Sequence, residues 1–333
     1  MKYAEIVKNI KAGNFAPIYF LMGEETFHID QITRLIEKTA LPEDQQSFNQ
    51  TVLYGRDTDV NTIIGEARRY PMMADRVVVI VKEAQDIRQI EDLEKYVSQI
   101  QPTTVLVIAY KYKTIDKRKK LFKLLSNGSV VFESKRLYDN QIPDWIGGNL
   151  AQRGYDSTVK ARVLLAESLG TDLARIDTEL EKLELVAAKG TTIDEQIVED
   201  NIGISKDYNN FELITALGKK QLLKALTIQK YFAANPKDNP LVVTIGLLYG
   251  FFSKLMVLHQ AQDKTPGGLA KLLGVNPYFI KDYQEGAVNY DLKKLARIIS
   301  YLRECDVRSK GVGNASVPES ELLKELIFKI VHV

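Results

Sequence analysis

Ile18-Tyr19-Phe20-Leu21-Met22-Gly23-Glu24-Glu25 decides the reading of the fold: five apolar residues after Pro17, then a glycine and two acids. The apolar run reads as a buried strand and the glycine as the turn that follows it. Downstream, Ile29, Ile32, Leu35 and Ile36 recur at helical spacing, and Phe48 to Tyr54 reads as a second strand. Val60, Ile63, Ile64 and Ala67 mark one face of an amphipathic helix, with Asp57 or Thr58 placed to cap it. Val77-Val78-Val79-Ile80-Val81 is β-branched with no alternation, so both its faces should be buried. A helical stretch from Ile90 to Ile100 leads to two more apolar strands, Val105 to Ile108 and Val130 to Phe132. Strands separated by helices in this way indicate a parallel α/β sheet.

Beyond about Gln141 the pattern changes to helices, with no convincing strand. Leu173, Ile176, Leu180 and Leu183 keep helical spacing, and Gly154, Gly170, Pro236, Pro240, Pro266-Gly267-Gly268 and Gly311-Val312-Gly313 break the runs. The expected architecture is α/β over residues 1–140, a small helical domain over 141–205 and a larger helical domain over 206–333.

The totals exclude several classes of function. The 333 residues carry 45 basic and 43 acidic side chains, a net charge of +2, which is no global nucleic-acid signature. Cys305 is the only cysteine, and His28, His259 and His332 are far apart, so neither a disulfide framework nor a metal-ligand spacing is present. Met1 to Ile10 lacks the apolar core of a signal peptide. Leu241 to Leu258 is apolar and contains Gly246 and Gly250 at GxxxG spacing, but Ser253 and Lys254 interrupt it, so a buried helix is expected. The expected location is the cytoplasm.

An open α/β sheet raises the question of a nucleotide, and the turn after the first strand is where phosphate would bind. A P-loop needs Gly-x-x-x-x-Gly-Lys-Ser/Thr, whose backbone N–H groups cradle phosphates while the lysine neutralises them. Here Gly23 is followed by Glu24 and Glu25, which repel a triphosphate, and no lysine follows. The Val77 strand should end in an acid if it held magnesium, yet it ends in Lys82-Glu83. Gly23, Glu24, Glu25 and Lys82 therefore read as a degenerate nucleotide site. No catalytic constellation is apparent elsewhere, and acid pairs such as Glu24-Glu25 are common on surfaces.

Three segments together resemble the delta subunit family of bacterial DNA polymerase III: Ile18 to Glu25, Arg69-Tyr70-Pro71-Met72-Met73-Ala74-Asp75-Arg76, and Asp116-Lys117-Arg118-Lys119-Lys120-Leu121-Phe122-Lys123. Trp145, Gly170-Thr171-Asp172-Leu173, Glu179 to Leu183 and Leu273-Gly274-Val275-Asn276-Pro277-Tyr278 continue the series to the C-terminus. The resemblance implies an AAA+-like fold without ATPase activity: a clamp-binding first domain, a lid-like second domain and a third domain that joins an oligomeric collar. It implies as partners the beta sliding clamp, the gamma or tau ATPase subunits and delta prime, with primer–template DNA met through the complex. It implies no cofactor and no membrane. Delta prime itself is excluded, because its Ser-Arg-Cys motif and zinc cysteines have no counterpart here. In the lid helix, Ala174 separates Asp172-Leu173 from Arg175 where the family often reads Gly-Asp-Leu-Arg.

Within this frame, the helix from Val60 to Tyr70 must end before Pro71, because the residue before proline is pushed out of the α region. Met72 and Met73 then lie on a short loop, and at least one should project outward. From the residues alone the two methionines read as caps of the sheet core. The resemblance instead implies that Met72 and Met73, flanked by Tyr70 and Pro71, enter a pocket on the clamp. A flexible, polarizable thioether suits such a pocket, although the better-known pattern has a leucine and an aromatic residue. Lys111, Lys113, Lys117, Arg118, Lys119, Lys120 and Lys123 form a dense basic run. It reads first as a solvated helix face and second as a DNA or subunit contact centred on Lys117 to Lys120. Residues 272–281 resemble a helix-turn-helix and equally suit helix packing. The alternative to a binding subunit is a nucleotide-dependent AAA+ ATPase, such as a helicase loader or an ATPase loader subunit. A DNA-binding regulator using 272–281 is a third reading.

Overall fold

A computed structural model of the chain describes residues 1–203, 205, 207–313 and 316–333. They form two compact units, Met1–Leu137 and Tyr138–Val333. The boundary expected at Lys206 falls on a residue outside the described set.

The first unit runs α1 (Tyr3–Lys11), β1 (Ile18–Gly23), α2 (Thr26–Thr39), α3 (Glu43–Asn49), β2 (Gln50–Tyr54), α4 (Val60–Ala67), β3 (Val77–Lys82), α5 (Glu94–Val97), β4 (Thr104–Lys111), α6 (Lys120–Leu125) and β5 (Val130–Ser134). All five strands are parallel, in the order β2-β3-β4-β1-β5. β1 lies between β4 and β5, with Phe20 opposite Ile108 and Val131. Every residue of β1 is buried, as its unbroken apolar run requires. Successive side chains serve opposite faces. Phe20, Met22, Val79, Val81 and Ile108 pack with Ile63, Ala67, Leu93 and Tyr96 on one side. Tyr19, Leu21, Val78, Ile80 and Val107 pack with Ile6, Ile10, Ile29, Ile32 and Ile36 on the other.

Three local expectations need correction. Phe48 and Asn49 close a helix rather than open the strand, which begins at Gln50 opposite Val78. The buried Asn49 amide accounts for this: its Nδ2 donates to the Gln45 carbonyl one turn back, and the rest of the group is spent on another segment. The cap of α4 is Asp59, not Asp57 or Thr58; its carboxylate accepts from the Thr62 N–H at 2.8 Å. The stretch from Ile90 is a 3-10 turn over Ile90–Leu93 followed by the single α-helical turn of α5.

The second unit runs α7 (Ile142–Gln152), β6 (Asp156–Ser157), α8 (Val159–Leu169), α9 (Leu173–Val186), β7 (Thr192–Ile193), α10 (Glu195–Ile202), α11 (Asn210–Gly218), α12 (Leu222–Ala234), α13 (Leu241–His259), α14 (Pro266–Leu273), α15 (Ile280–Asn289), α16 (Leu292–Ser309) and α17 (Glu319–Val331). β6 and β7 form a two-residue parallel pair that no periodicity could announce. Leu248, Phe252 and Leu255 of α13 pack with Leu217, Ile228, Ile298, Leu302, Leu326 and Ile327 as the main core. α13 is long and apolar enough by composition to cross a membrane, yet this face of it is core. Its other face carries exposed Val242, Val243, Tyr249 and Val257, so the helix is half-buried rather than buried throughout. Around the 272–281 segment, Leu269, Ala270, Leu273 and Ile280 close over Ala261 as a separate small core. Its apolar spacing is used in packing.

Candidate functional site

The loop between α4 and β3 is held at both ends and bare in the middle. α4 stops at Ala67, three residues before the expected Tyr70. A continuing helix would need the N–H of residue 71 to serve the Ala67 carbonyl, and Pro71 has none. That carbonyl instead accepts from the buried Thr104 hydroxyl at 2.8 Å. At the far end, Ala74 packs against the sheet core and Val77 enters β3. Between these anchors Tyr70 is 78% exposed, Met72 58% and Met73 99%. Neither methionine caps the sheet core, so the reading made from the residues alone does not hold for either.

The exposed loop is nevertheless organised. Asn49, 2% exposed, accepts from the Met72 N–H through Oδ1 at 2.7 Å and donates to the Met72 carbonyl through Nδ2 at 2.9 Å. With its second Nδ2 bond to Gln45, the amide uses both donors and its acceptor. Arg69 pairs with Glu66 at 2.8 Å and donates to the Phe48 carbonyl at 3.4 Å. Hydrogen bonds from Arg69, and then from Thr51, hold the Glu66 carboxyl below its ordinary value against the opposing effect of burial. Met73 takes a left-handed backbone, φ +53°, a conformation that costs a non-glycine residue on the order of 1–3 kcal/mol and persists where neighbours impose it. On the outer side, the Arg76 guanidinium lies 4.8 Å over the Phe15 ring. Two apolar side chains are thus presented to solvent on a fixed backbone.

The β1–α2 turn, expected to be a degenerate nucleotide site, is occupied by the chain's own side chains. β1 ends at Gly23 and α2 starts at Thr26, so only Glu24 and Glu25 connect them, too few to wrap a phosphate chain. The Glu25 carboxylate caps α2, accepting from the Phe27 N–H at 3.0 Å. It fills with its own charge the helix N-terminus that would attract a phosphate. Lys82 turns to Glu37 at 2.9 Å. Lys111 bridges Asp30 at 2.8 Å and Glu83 at 2.7 Å, and although burial alone would lower it, these carboxylates hold its ammonium above the ordinary value. Gly23 is required on steric grounds, because a Cβ there would stand 2.0 Å from the Ser134 carbonyl oxygen.

The centre of the basic run, Lys117 to Lys120, is paired with acids. Lys117 meets Glu133 at 2.7 Å, Arg118 meets Asp116 at 2.8 Å, Lys119 meets Glu91, and Lys120 meets Glu94 at 3.2 Å. Leu121 and Leu125 face inward beneath them. Such exposed pairs are worth little to stability, but they offset charge that would otherwise face a phosphate backbone. Among the described residues no cluster of three or more His, Cys, Asp or Glu is placed to hold a metal.

The sequence reading named Tyr70, Pro71, Met72 and Met73 and gave no part to Asn49, Phe48 or Arg69, whose hydrogen bonds tie the two segments together. Residues 49 and 72 are 23 positions apart, and no spacing rule connects a helix end to a distant loop.

The profile described as DNA polymerase III, delta subunit matches residues 19–135, and that described as DNA polymerase III delta subunit, C-terminal domain matches residues 207–327. DNA polymerase III subunit delta of Bacillus subtilis (strain 168) is 25% identical over 335 residues, covering 97% of this chain and 94% of that protein. The solved structure of the Bacillus subtilis DNA clamp loader delta protein superposes with a TM-score of 0.56 at 22% identity, covering 100% of each chain, which shows a similar fold.

Proposed function

The chain belongs to the DNA polymerase III delta subunit family, and from that premise we propose that it binds the ring-shaped beta sliding clamp through Met72 and Met73 and holds the ring open for loading onto primed DNA. The observation that carries this reading is the pair of exposed thioethers on a loop whose backbone is tied at Asn49. Burying each in an apolar pocket contributes roughly 1.5–3 kcal/mol, so a preorganised pair can dominate a small interface. Tyr70 and Pro71 shape the approach to the pocket. Opening is a shift of the clamp between closed and open forms, driven by tighter binding to the open one, and it makes or breaks no bond.

The subunit acts without hydrolysing ATP, a reading supported by the two-residue β1–α2 connector and the Glu25 carboxylate at the start of α2. Its place in the polymerase is that of a component. Its partners besides the clamp are the gamma or tau ATPase subunits and delta prime, with primer–template DNA reached through the complex, in the cytoplasm. Residues 141–205 serve as the lid-like domain and 206–333 as the collar. The competing AAA+ ATPase reading shares the parallel sheet, and the short β1–α2 connector and the Glu25 carboxylate weigh against it.

The test is binding of the purified chain to the sliding clamp of the same organism, beside the Met72→Ala/Met73→Ala double variant. Tight wild-type binding, lost in a double variant with an unchanged unfolding midpoint, is the expected result. Binding that survives the double change would move the contact elsewhere, and a folded wild type that does not bind would end the reading.

A further inference from the structure

Phe48 is an exposed aromatic residue that the docking reading leaves unused. It precedes Asn49 at the end of α3, and its side chain is 64% exposed. Its place beside the methionine loop is set by two independent ties. Arg69 donates to the Phe48 carbonyl, and Asn49 holds the Met72 backbone on both its N–H and its carbonyl. Phe48 on one segment and Tyr70, Met72 and Met73 on the other therefore flank a single seam. These two tied segments carry four large apolar residues, each more than half exposed. Exposed apolar residues carried on adjoining, tied segments mark a protein-binding face, and aromatic residues and methionine are enriched at the centres of such faces.

We propose that Phe48 is a third anchor of the clamp-docking surface, so that the surface is a composite of the α3 terminus and the α4–β3 loop. The inference rests on the docking reading given above. The occupant is the sliding clamp, and the chemistry it must supply is an apolar pocket wide enough for an aromatic ring beside two thioethers. An aromatic ring brings large contact area with few rotatable bonds, which limits the entropy lost on docking. The two ties keep the three anchors in one arrangement before the clamp arrives. The ring's exposure means that its removal should leave the fold alone, which separates a docking role from a packing role.

The experiment measures clamp affinity of the full chain for wild type, Phe48→Ala, Phe48→Met and Met72→Ala/Met73→Ala, with the unfolding midpoint of each. The expected result is that Phe48→Ala weakens binding about tenfold, that Phe48→Met restores most of the loss, and that neither moves the midpoint. Wild-type affinity in Phe48→Ala, with binding lost in the double methionine variant, would overturn the third anchor and leave the docking loop standing. Tight wild-type binding unchanged in both variants would overturn the anchor together with the loop.

Discussion

Asn49 holds the Met72 backbone on both its polar groups, accepting from the N–H at 2.7 Å and donating to the carbonyl at 2.9 Å. A single side chain thereby does for the loop what a neighbouring strand does for a ladder residue. Removing it leaves peptide groups without partners, at a cost of roughly 1–3 kcal/mol. Asn49→Ala is expected to lose stability on that scale in denaturant unfolding. It should also bind the clamp more weakly per folded molecule, because the loop loses its preorganisation. Asn49→Asp keeps the acceptor but not the donor and should fall between. Clamp affinity equal to wild type in folded Asn49→Ala would detach the tie from docking.

Gly23 has no room for a side chain. A Cβ would stand 2.0 Å from the Ser134 carbonyl oxygen, and φ is +132°. Gly23→Ala is expected to cost at least about 3 kcal/mol, by forcing β1 and β5 apart where they are paired. Circular dichroism and limited proteolysis report it. A normally stable Gly23→Ala protein would contradict the close approach.

Glu167 of α8 is half-buried, and its carboxyl Oε2 is shut off from solvent with no hydrogen-bond partner. Burial raises it to about 7, the Phe211 backbone N–H opposing and the Glu212 charge adding. The folded state then keeps a proton that an unfolded glutamic acid, with its ordinary value of 4.5, has already released. The contribution to stability is complete below the lower value and is lost as pH rises through the higher one. Glu167→Gln should stabilise the protein at pH 8 by on the order of 1–3 kcal/mol and change it little at pH 5. Urea unfolding at the two pH values measures this, and an equal effect at both would refute it.

Cys305 is buried in the main core of the second unit, and burial pushes its thiol up to about 11 although Arg308 opposes. A chromogenic disulfide reagent at pH 8 should therefore label it at the rate of unfolding and faster in urea. Rapid labelling of the native chain would show the thiol accessible.

The parallel sheet was legible because burial on both faces leaves a compositional mark. Val77 to Val81 and Ile18 to Met22 have no polar position, and both became inner strands. Pro71 was equally legible, since the missing N–H ends α4 wherever the helix is placed. The absent P-loop could be read from Glu24 and Glu25 alone, because charge sign and glycine spacing are local properties. The docking role proposed for the α4–β3 loop came from the resemblance of the Arg69–Arg76 segment.

Tertiary structure decided what depends on residues far apart in the chain. Composition made the Lys117–Lys120 run basic, but its carboxylate partners Glu91, Glu94 and Glu133 come from other elements. Two adjacent methionines can cap a core or face solvent with the same local sequence, and here the Met72 backbone is held by an amide 23 residues upstream. Helix and strand periodicity follow from contacts within one turn or one pleat. The pairing of Asn49 with Met72 follows from how α3 and the α4–β3 loop meet at the sheet, which no local pattern encodes.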